Sequence, residues 1–179
     1  AQRKINTLLV ALDTPELGEA CNELMEEYGI MAASFPTDLT DPASAAAIHN
    51  WCIENGYVVR YLINNAGFGA SGYFENVPLE RYYKMIDLNN KAYIALTHQF
   101  LPDLKLLGDS YIINTSSMEA TLPAPYKAVY TGTKNFVYSF SLALNQEVRK
   151  YGVKVSILCP GPVPTNEEGI VRLESQGKK

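Results

Sequence analysis

The 179-residue sequence is poor in the residues that build metal sites and disulfide frameworks. Its three cysteines are Cys21, Cys52 and Cys159, and its two histidines are His49 and His98. An odd number of widely spaced cysteines without a CxxC pair predicts reduced thiols and a cytoplasmic location, and argues against a disulfide scaffold or a zinc site. Two histidines leave little material for a histidine-based triad or metal centre, so we expect no bound metal.

Charge and long apolar runs are equally sparse. Charged residues make up 19% of the chain and the net charge is -4, which gives no electrostatic reason to expect a nucleic acid or an anionic membrane as partner. No apolar run approaches the roughly 20 residues of a membrane helix. The apolar stretch before Asp13 is too short for a signal peptide. The 47% hydrophobic content is that of an ordinary globular protein.

Short apolar runs alternate with helical patterns along the chain. The strand-like runs occupy residues 5–12, 30–39, 58–67, 110–117 and 153–160, and the helical patterns occupy 15–29, 41–56, 79–105 and 126–151. Parallel strands need crossovers of this length, and near-continuous apolar strands predict a sheet buried on both faces. The chain has no linker-like or repeated segment. The sequence therefore predicts one doubly wound, Rossmann-like α/β domain over residues 1–179.

The exits of four predicted strands are rich in small and polar residues. These exits are 36–39, 64–67, 114–117 and 159–165. Taken singly, each is a loop of turn residues. Ligands of open α/β sheets bind outside the carboxyl ends of the strands, however, so the four exits together predict a binding site.

The motifs at and between these exits resemble those of the short-chain dehydrogenases/reductases. The matching stretches are NNAG at 64–67, DLNN at 87–90, NTSS at 114–117, YTGTK at 130–134 and PGPVPT at 160–165. Their order matches the family, as do the 13 residues from Ser117 to Tyr130. The resemblance covers roughly residues 5–166. It implies an NAD(P)-dependent oxidoreductase that interconverts a small-molecule secondary alcohol and a ketone, assembled as a homodimer or homotetramer.

The resemblance also implies roles for individual residues. Tyr130 would be the general acid and base, Ser117 would hold the substrate oxygen, and Asn89 would support a water relay behind Lys134. The implied cofactor contacts are Asp38 and Leu39 at the adenine, Asn65, Ala66 and Gly67 along the adenosine ribose and diphosphate, Tyr130 and Lys134 at the nicotinamide ribose, and Pro160, Gly161, Val163 and Thr165 at the nicotinamide end.

The spacing of Tyr130 and Lys134 suits proton transfer. Residues at i and i+4 share one face of a helix. Reduction of a carbonyl by hydride transfer needs a positioned proton donor, but the ordinary pKa of tyrosine is about 10. We expect the Lys134 ammonium, one helical turn away, to lower the pKa of Tyr130 by roughly 2–3 units.

The sequence departs from the family pattern in two places. It contains no TGxxxGxG phosphate loop after a first strand, and the family's last strand is missing. We therefore expect that residues are missing before Ala1, between about Asn166 and Glu167, and after Lys179. The end of the second family strand offers Ala11, Leu12 and Asp13 to the adenosine ribose. Without a cation there, and with a carboxylate nearby to repel a 2′-phosphate, the sequence favours NAD over NADP.

Two further functions remain open from the sequence alone. One is a non-catalytic dinucleotide-binding or regulatory protein that kept the fold, and the other is a scaffold in which the long helices mediate assembly. Glu119 either faces the substrate or is an exposed loop carboxylate. Tyr82 and Tyr83 either line the substrate pocket or pack their own helix.

Overall fold

A computed structural model describes residues 4–161 of the chain. The strands are β1 (Thr7–Ala11), β2 (Ala32–Pro36), β3 (Tyr61–Asn64), β4 (Ser110–Thr115) and β5 (Val153–Leu158). The helices are α1 (Pro15–Tyr28), α2 (Ser44–Glu54), α3 (Leu79–Ile86), α4 (Ala92–Leu107) and α5 (Ala128–Val148). Every predicted strand is present with shorter or equal bounds, and so are the helices predicted at 15–29, 41–56 and 126–151. The helix predicted over 79–105 is instead divided into α3 and α4 and ends at Leu107.

The ends of α1 illustrate how the sequence sets these bounds. Thr14 precedes the helix in an extended conformation, and Pro15 occupies the first turn, where its missing N–H costs nothing. Gly29 ends the helix with φ of 61°, and its N–H donates to the Met25 carbonyl at 3.0 Å. A left-handed residue at this position stops the helix, and glycine adopts it without steric cost.

The strands are parallel, as predicted, and form two hydrogen-bonded groups. β1 pairs with β2, and β3, β4 and β5 pair in that order. Within residues 4–161 no strand joins the two groups by hydrogen bonds to both β1 and β3. Both groups nevertheless share one apolar core, because Leu8 and Val10 of β1 and Phe35 of β2 pack against the same cluster as the larger sheet. The fold is thus an α/β arrangement of parallel strands alternating with helices.

The core lies between the larger sheet and helices α2, α4 and α5. Its strand residues include Leu62, Ile112 and Val153, and they pack against helix residues such as Phe100 and Val148. The opposite face of the sheet is more open, so the prediction of strands buried on both faces is wrong for the described part of the chain. Burial alternates along β3 and β5, and Ile63 and Leu158 are more than half exposed. The reason is that the described helices that contact this sheet lie on its other face.

The predicted helix over 79–105 is interrupted by a wider, π-helical turn at Asp87–Lys91. The turn joins α3 directly to α4, with no non-helical residue between them. A π turn holds one more residue than an α turn, and such turns are frequent at functional sites. Here it brings the adjacent Asn89 and Asn90 both onto the buried side.

No helix within residues 4–161 is long and apolar enough to cross a membrane. The same residues contain no group of three or more histidine, cysteine or acidic side chains placed to hold a metal ion.

Candidate active site

The carboxyl ends of β3, β4 and β5 lie side by side at one edge of the sheet. Asn64, the last residue of β3, lies opposite Asn114 of β4 in the parallel register. Beyond the ladder, the Met118 N–H donates to the Pro160 carbonyl at 3.1 Å, so the exit of β4 stays attached to the exit of β5. Three of the four predicted strand exits, those after β3, β4 and β5, therefore converge on one edge, and the exit at 36–39 belongs to the other group of strands.

Ser117 leaves β4 in an extended conformation and is buried. Its hydroxyl oxygen accepts a hydrogen bond from the Glu119 N–H at 3.1 Å and caps the short 3-10 turn Met118–Ala120. Because that bond uses the oxygen as acceptor, the Ser117 proton remains for another acceptor. Burial raises the Tyr130 pKa, and a hydrogen bond from Ser117 to the phenol oxygen, which favours the ionised form, partly opposes that rise.

Tyr130 lies in the first turn of α5 and is partly buried. Gly69 lies against its ring, and a Cβ atom there would be 3.2 Å from Cδ2 of Tyr130. The loop after β3 therefore crosses the ring and removes it from water. That burial is the main influence on Tyr130 and raises its pKa, the Ser117 hydrogen bond opposes it, and the Glu119 charge raises it further.

The predicted lowering of the Tyr130 pKa is therefore wrong for this structure. Lys134 does share a helix face with Tyr130, but its Nζ atom lies 5.9 Å from the centre of the Tyr130 ring. Its ammonium instead donates to the Thr115 carbonyl at 2.9 Å. Lys134 is only 5% exposed, and this burial lowers its own pKa to about 8. Desolvation disfavours both charged forms, the phenolate and the ammonium, in the same enclosure.

Asn89 is fully buried in the π-helical turn and fixes the loop after β3. Its amide nitrogen donates to the Phe68 carbonyl and to the Thr133 hydroxyl, both at 3.0 Å, and its oxygen accepts the Phe68 N–H at 3.1 Å. A Cβ atom at Gly67 would lie 2.9 Å from that oxygen and 3.4 Å from Lys134 Nζ. The side chain of Asn89 thus holds the loop directly over Lys134, and only glycine fits at 67.

The predicted cofactor residues that follow β3 and β5 lie along this same edge of the sheet. Asn65 is exposed and accepts a hydrogen bond from the Thr115 hydroxyl at 3.0 Å. Ala66 and Gly67 follow it, with no large side chain to keep a ligand from the backbone. Pro160 and Gly161 follow β5 beside Met118. Val163 and Thr165 lie outside the described residues.

The predicted adenine contacts, Asp38 and Leu39, follow β2. One carboxylate oxygen of Asp38 accepts both the N–H and the hydroxyl of Thr40 at 2.8 Å, and these bonds lower the Asp38 pKa. Asp38 is therefore an exposed anion fixed by Thr40. Leu39 packs partly into the apolar core, which leaves its backbone as the group available to a ligand.

The structure adds a charged pair that sequence reasoning missed. Glu119 is neither a free substrate contact nor an exposed loop carboxylate: it is partly buried and bound to the Lys127 ammonium. Lys127 immediately precedes α5, three residues before Tyr130. The signal in the sequence was the opposite charge of two residues that lie between Ser117 and Tyr130, one just after Ser117 and the other just before Tyr130.

Tyr82 and Tyr83 behave differently from each other. Tyr82 is buried, stacks on Phe74 with ring centres 5.3 Å apart, and donates to the Phe74 carbonyl at 3.2 Å. It therefore packs its own helix against the preceding loop. Tyr83 is exposed on α3.

Comparison with known proteins identifies the family of the chain. Residues 1–174 match the family described as short chain dehydrogenase. A very-long-chain 3-oxoacyl-CoA reductase of Laccaria bicolor is 31% identical over 161 residues, which cover 88% of this chain and 47% of that protein. The chain spans about half the length of the curated relatives it matches.

Solved structures of similar proteins give the same result. A short-chain dehydrogenase from Sphingobium yanoikuyae, in complex with NADPH, superposes with a TM-score of 0.84 at 31% identity, covering 90% of this chain and 63% of that one. L-sorbose reductase from Gluconobacter frateurii, complexed with NADPH and L-sorbose, has a TM-score of 0.87 at 25% identity, covering 97% and 66%. The chain belongs to the short-chain dehydrogenase/reductase family.

Proposed function

We propose that this short-chain dehydrogenase/reductase carries the catalytic groups of an NAD(P)-dependent oxidoreductase that interconverts a secondary alcohol and a ketone. Tyr130 is the general acid and base. The observation that carries the proposal is that four side chains converge at one edge of the sheet: Ser117, Tyr130, Lys134 and Asn89. Three of them, all but Tyr130, are buried. Lys134 is hydrogen-bonded to the end of β4, and Asn89 is hydrogen-bonded to the loop after β3.

The protonation states favour reduction of a ketone at neutral pH. The raised pKa of Tyr130 keeps its phenol protonated, so the O–H is ready to donate to an oxygen that gains negative charge. Lys134, with a pKa of about 8, is mostly an ammonium at pH 7. An ammonium can donate hydrogen bonds to the hydroxyl oxygens of the nicotinamide ribose.

Ser117 positions the substrate oxygen beside Tyr130. The Glu119 N–H uses one lone pair of the Ser117 oxygen, so the hydroxyl proton is available to the phenol oxygen or to a substrate oxygen placed beside it. A hydrogen-bond donor fixed before the reaction stabilises developing negative charge without reorganisation.

The nicotinamide cofactor supplies or accepts the hydride. The small residues Ala66 and Gly67, half-buried and exposed respectively, and the fixed Asp38 carboxylate fit a dinucleotide lying across the strand exits, because its backbone contacts need no large side chain there. Asn65, Leu39, Pro160 and Gly161 complete the proposed set within the described residues, with Val163 and Thr165 beyond them. Lys134 is the proposed partner of the nicotinamide ribose.

We favour NAD over NADP on the residues that follow β1. Asp13 is exposed just beyond the strand and would repel a 2′-phosphate. Both solved relatives described above hold NADPH, so Michaelis constants for NADH and NADPH measured side by side decide the point. A lower constant for NADPH would reverse this choice.

We also propose a homodimer or homotetramer. Apolar side chains of α4 and α5, among them Ile94, Phe136 and Leu142, are at least 40% exposed, and a second copy of the chain would cover them. Light scattering of the full-length protein tests this, since a monomeric mass contradicts it.

The test of the function compares the full-length wild type with Tyr130→Phe and Ser117→Ala. Ketone reduction is followed by loss of NAD(P)H absorbance over a panel of ketones. We expect Tyr130→Phe to lower kcat by about 10²–10⁴-fold, the usual contribution of a positioned proton donor. Cofactor affinity, measured by nucleotide fluorescence, should change little.

Equal kcat values for wild type and Tyr130→Phe would refute the role of the phenol. Tight cofactor binding without turnover of any ketone or alcohol would instead favour a non-catalytic dinucleotide-binding protein.

A further inference from the structure

Two loops beside the catalytic groups expose large apolar side chains that the proposed chemistry does not use. The loop after β3 carries Tyr73, and the loop after β4 carries Met118, Leu122 and Tyr126. Each of these side chains is about one half to two thirds exposed. Both loops begin at the sheet edge where the catalytic groups converge.

The two loops are joined to each other by Tyr126. Its carbonyl accepts the Gly72 N–H at 2.9 Å. Its ring meets the ring of Tyr73 edge-to-face, with centres 5.2 Å apart and planes at 81°. Edge-to-face aromatic pairs at this distance attract each other beyond simple burial. Tyr73 and Tyr126, which we call the tyrosine pair, therefore behave as one surface rather than as two independent side chains.

Tyr126 holds this position in an unfavourable backbone conformation. Its φ is 66°, in the left-handed region that a bulky residue rarely adopts. Such strain persists only where surrounding contacts determine it, and it is concentrated at binding and catalytic sites. The Gly72 hydrogen bond and the Tyr73 ring are the contacts that hold Tyr126 here.

The tyrosine pair lies on the two loops that carry or contact the reacting groups, a few residues from them along the chain. The loop after β3 lies against the Tyr130 ring at Gly69, four residues before Tyr73. Tyr126 is four residues before Tyr130 and begins the approach to α5. The loop after β4 is also attached to Pro160 through the Met118 N–H, at the proposed nicotinamide end.

The charges in the second loop offset each other, because one carboxylate oxygen of Glu119 binds the Lys127 ammonium. The other Glu119 oxygen is buried and has no hydrogen-bond partner within residues 4–161. The groups left to contact the substituents of a ketone are mainly the exposed rings and apolar chains.

We propose that the tyrosine pair forms one wall of the substrate site and selects carbonyl compounds with a bulky apolar substituent, such as an aromatic ring, over small hydroxylated ketones. This inference rests on the proposed function. Burial of the substituent against two aromatic rings supplies the discrimination, because apolar contact area is lost when the substituent is small or hydroxylated.

The test compares propiophenone with dihydroxyacetone as substrates of the full-length protein, with its preferred cofactor. The variants are Tyr126→Asn and Tyr73→Ala, and the control is Tyr151→Ala, an exposed tyrosine just before β5 at the other end of the sheet. Asparagine tolerates the left-handed conformation, so Tyr126→Asn removes the ring while keeping the backbone. Circular dichroism confirms that each variant folds.

We expect wild type to prefer propiophenone in kcat/KM. Tyr126→Asn and Tyr73→Ala should each lower kcat/KM for propiophenone by about 10-fold or more, within the range for lost apolar contacts. They should change dihydroxyacetone by less than about 2-fold, and Tyr151→Ala should change neither. A wild-type preference for dihydroxyacetone, or equal losses for both substrates, would overturn the inference while leaving the proposed function intact.

A binding measurement separates failure of the inference from failure of the function. Equilibrium dialysis of 1-phenyl-1-propanol against the cofactor-saturated protein reports the apolar site without turnover. Binding that Tyr126→Asn weakens, in a protein that turns over neither ketone, would support the tyrosine pair and refute the oxidoreductase. Absence of both binding and turnover would refute both.

Discussion

Replacing Lys134 with methionine measures how strongly a buried ammonium in the site opposes folding. Lys134 is 5% exposed, its Nζ donates to the Thr115 carbonyl, and burial lowers its pKa from 10.5 to about 8. At about 1.4 kcal/mol per pKa unit, this shift corresponds to about 3 kcal/mol of folding free energy. Methionine fills a similar volume without a charge.

The sign of the pH dependence follows from proton binding. Between pH 8 and 10.5 the unfolded chain holds the Lys134 proton more tightly than the folded chain, so the free energy of unfolding rises with pH in that window. The cost of the buried charge is complete below pH 8 and absent above 10.5. From pH 7 to pH 9.5, the free energy of unfolding of wild type should therefore gain about 2 kcal/mol relative to Lys134→Met.

The assay is urea unfolding of both proteins at several pH values from 7 to 9.5, read by circular dichroism. The lost hydrogen bond to Thr115 shifts the Lys134→Met curve by a constant amount and leaves its slope unaffected. Lys84→Met, at an exposed site on α3, controls for loss of a lysine as such. If the wild-type and Lys134→Met free energies run parallel across this range, the reasoning about the buried ammonium is refuted.

Two further perturbations bear on the same site. Asn89→Ala should destabilise the fold by about 1–3 kcal/mol, because it leaves the partly buried backbone N–H and carbonyl of Phe68 and the Thr133 hydroxyl without this partner; urea unfolding measures this, and a change below about 0.5 kcal/mol would contradict it. Lys127→Gln frees the Glu119 charge, so the Tyr130 pKa should rise and the fall of ketone reduction at alkaline pH should move upward, whereas Glu119→Gln should move it downward. Kinetic pH profiles measure both, and shifts in the same direction would contradict the pairing.

The sequence predicted the parts of the site that depend on helical and strand periodicity. The i, i+4 spacing placed Tyr130 and Lys134 on one face of α5, and the alternation of strands and helices placed the exits of β3, β4 and β5 at one edge. These features follow from local geometry, which a pattern of side chains specifies directly.

The features that the sequence could not predict depend on contacts between distant segments. The direction of the Tyr130 pKa depends on the Gly69 loop, which crosses the ring from about 60 residues away in the chain. The π-helical turn was predicted as regular helix, because one extra residue in a turn leaves no clear trace in an amphipathic pattern. The split between buried and open sheet faces depends on which helices cover each face, and apolar strand residues alone do not specify that.

The π-helical turn has a consequence for any attempt to shorten or graft this helix. Removing one residue from Asp87–Lys91 would turn the wide turn into an ordinary α-helical one, and α3 and α4 would keep nearly the same phase, because the π turn already absorbs the extra residue. The cost would fall on the turn itself, since only the extra residue lets the adjacent Asn89 and Asn90 both face the buried side. A deletion that makes the helix regular would thus remove one of two buried amide contacts, that of Asn89 with Phe68 or that of Asn90 with the Thr133 carbonyl.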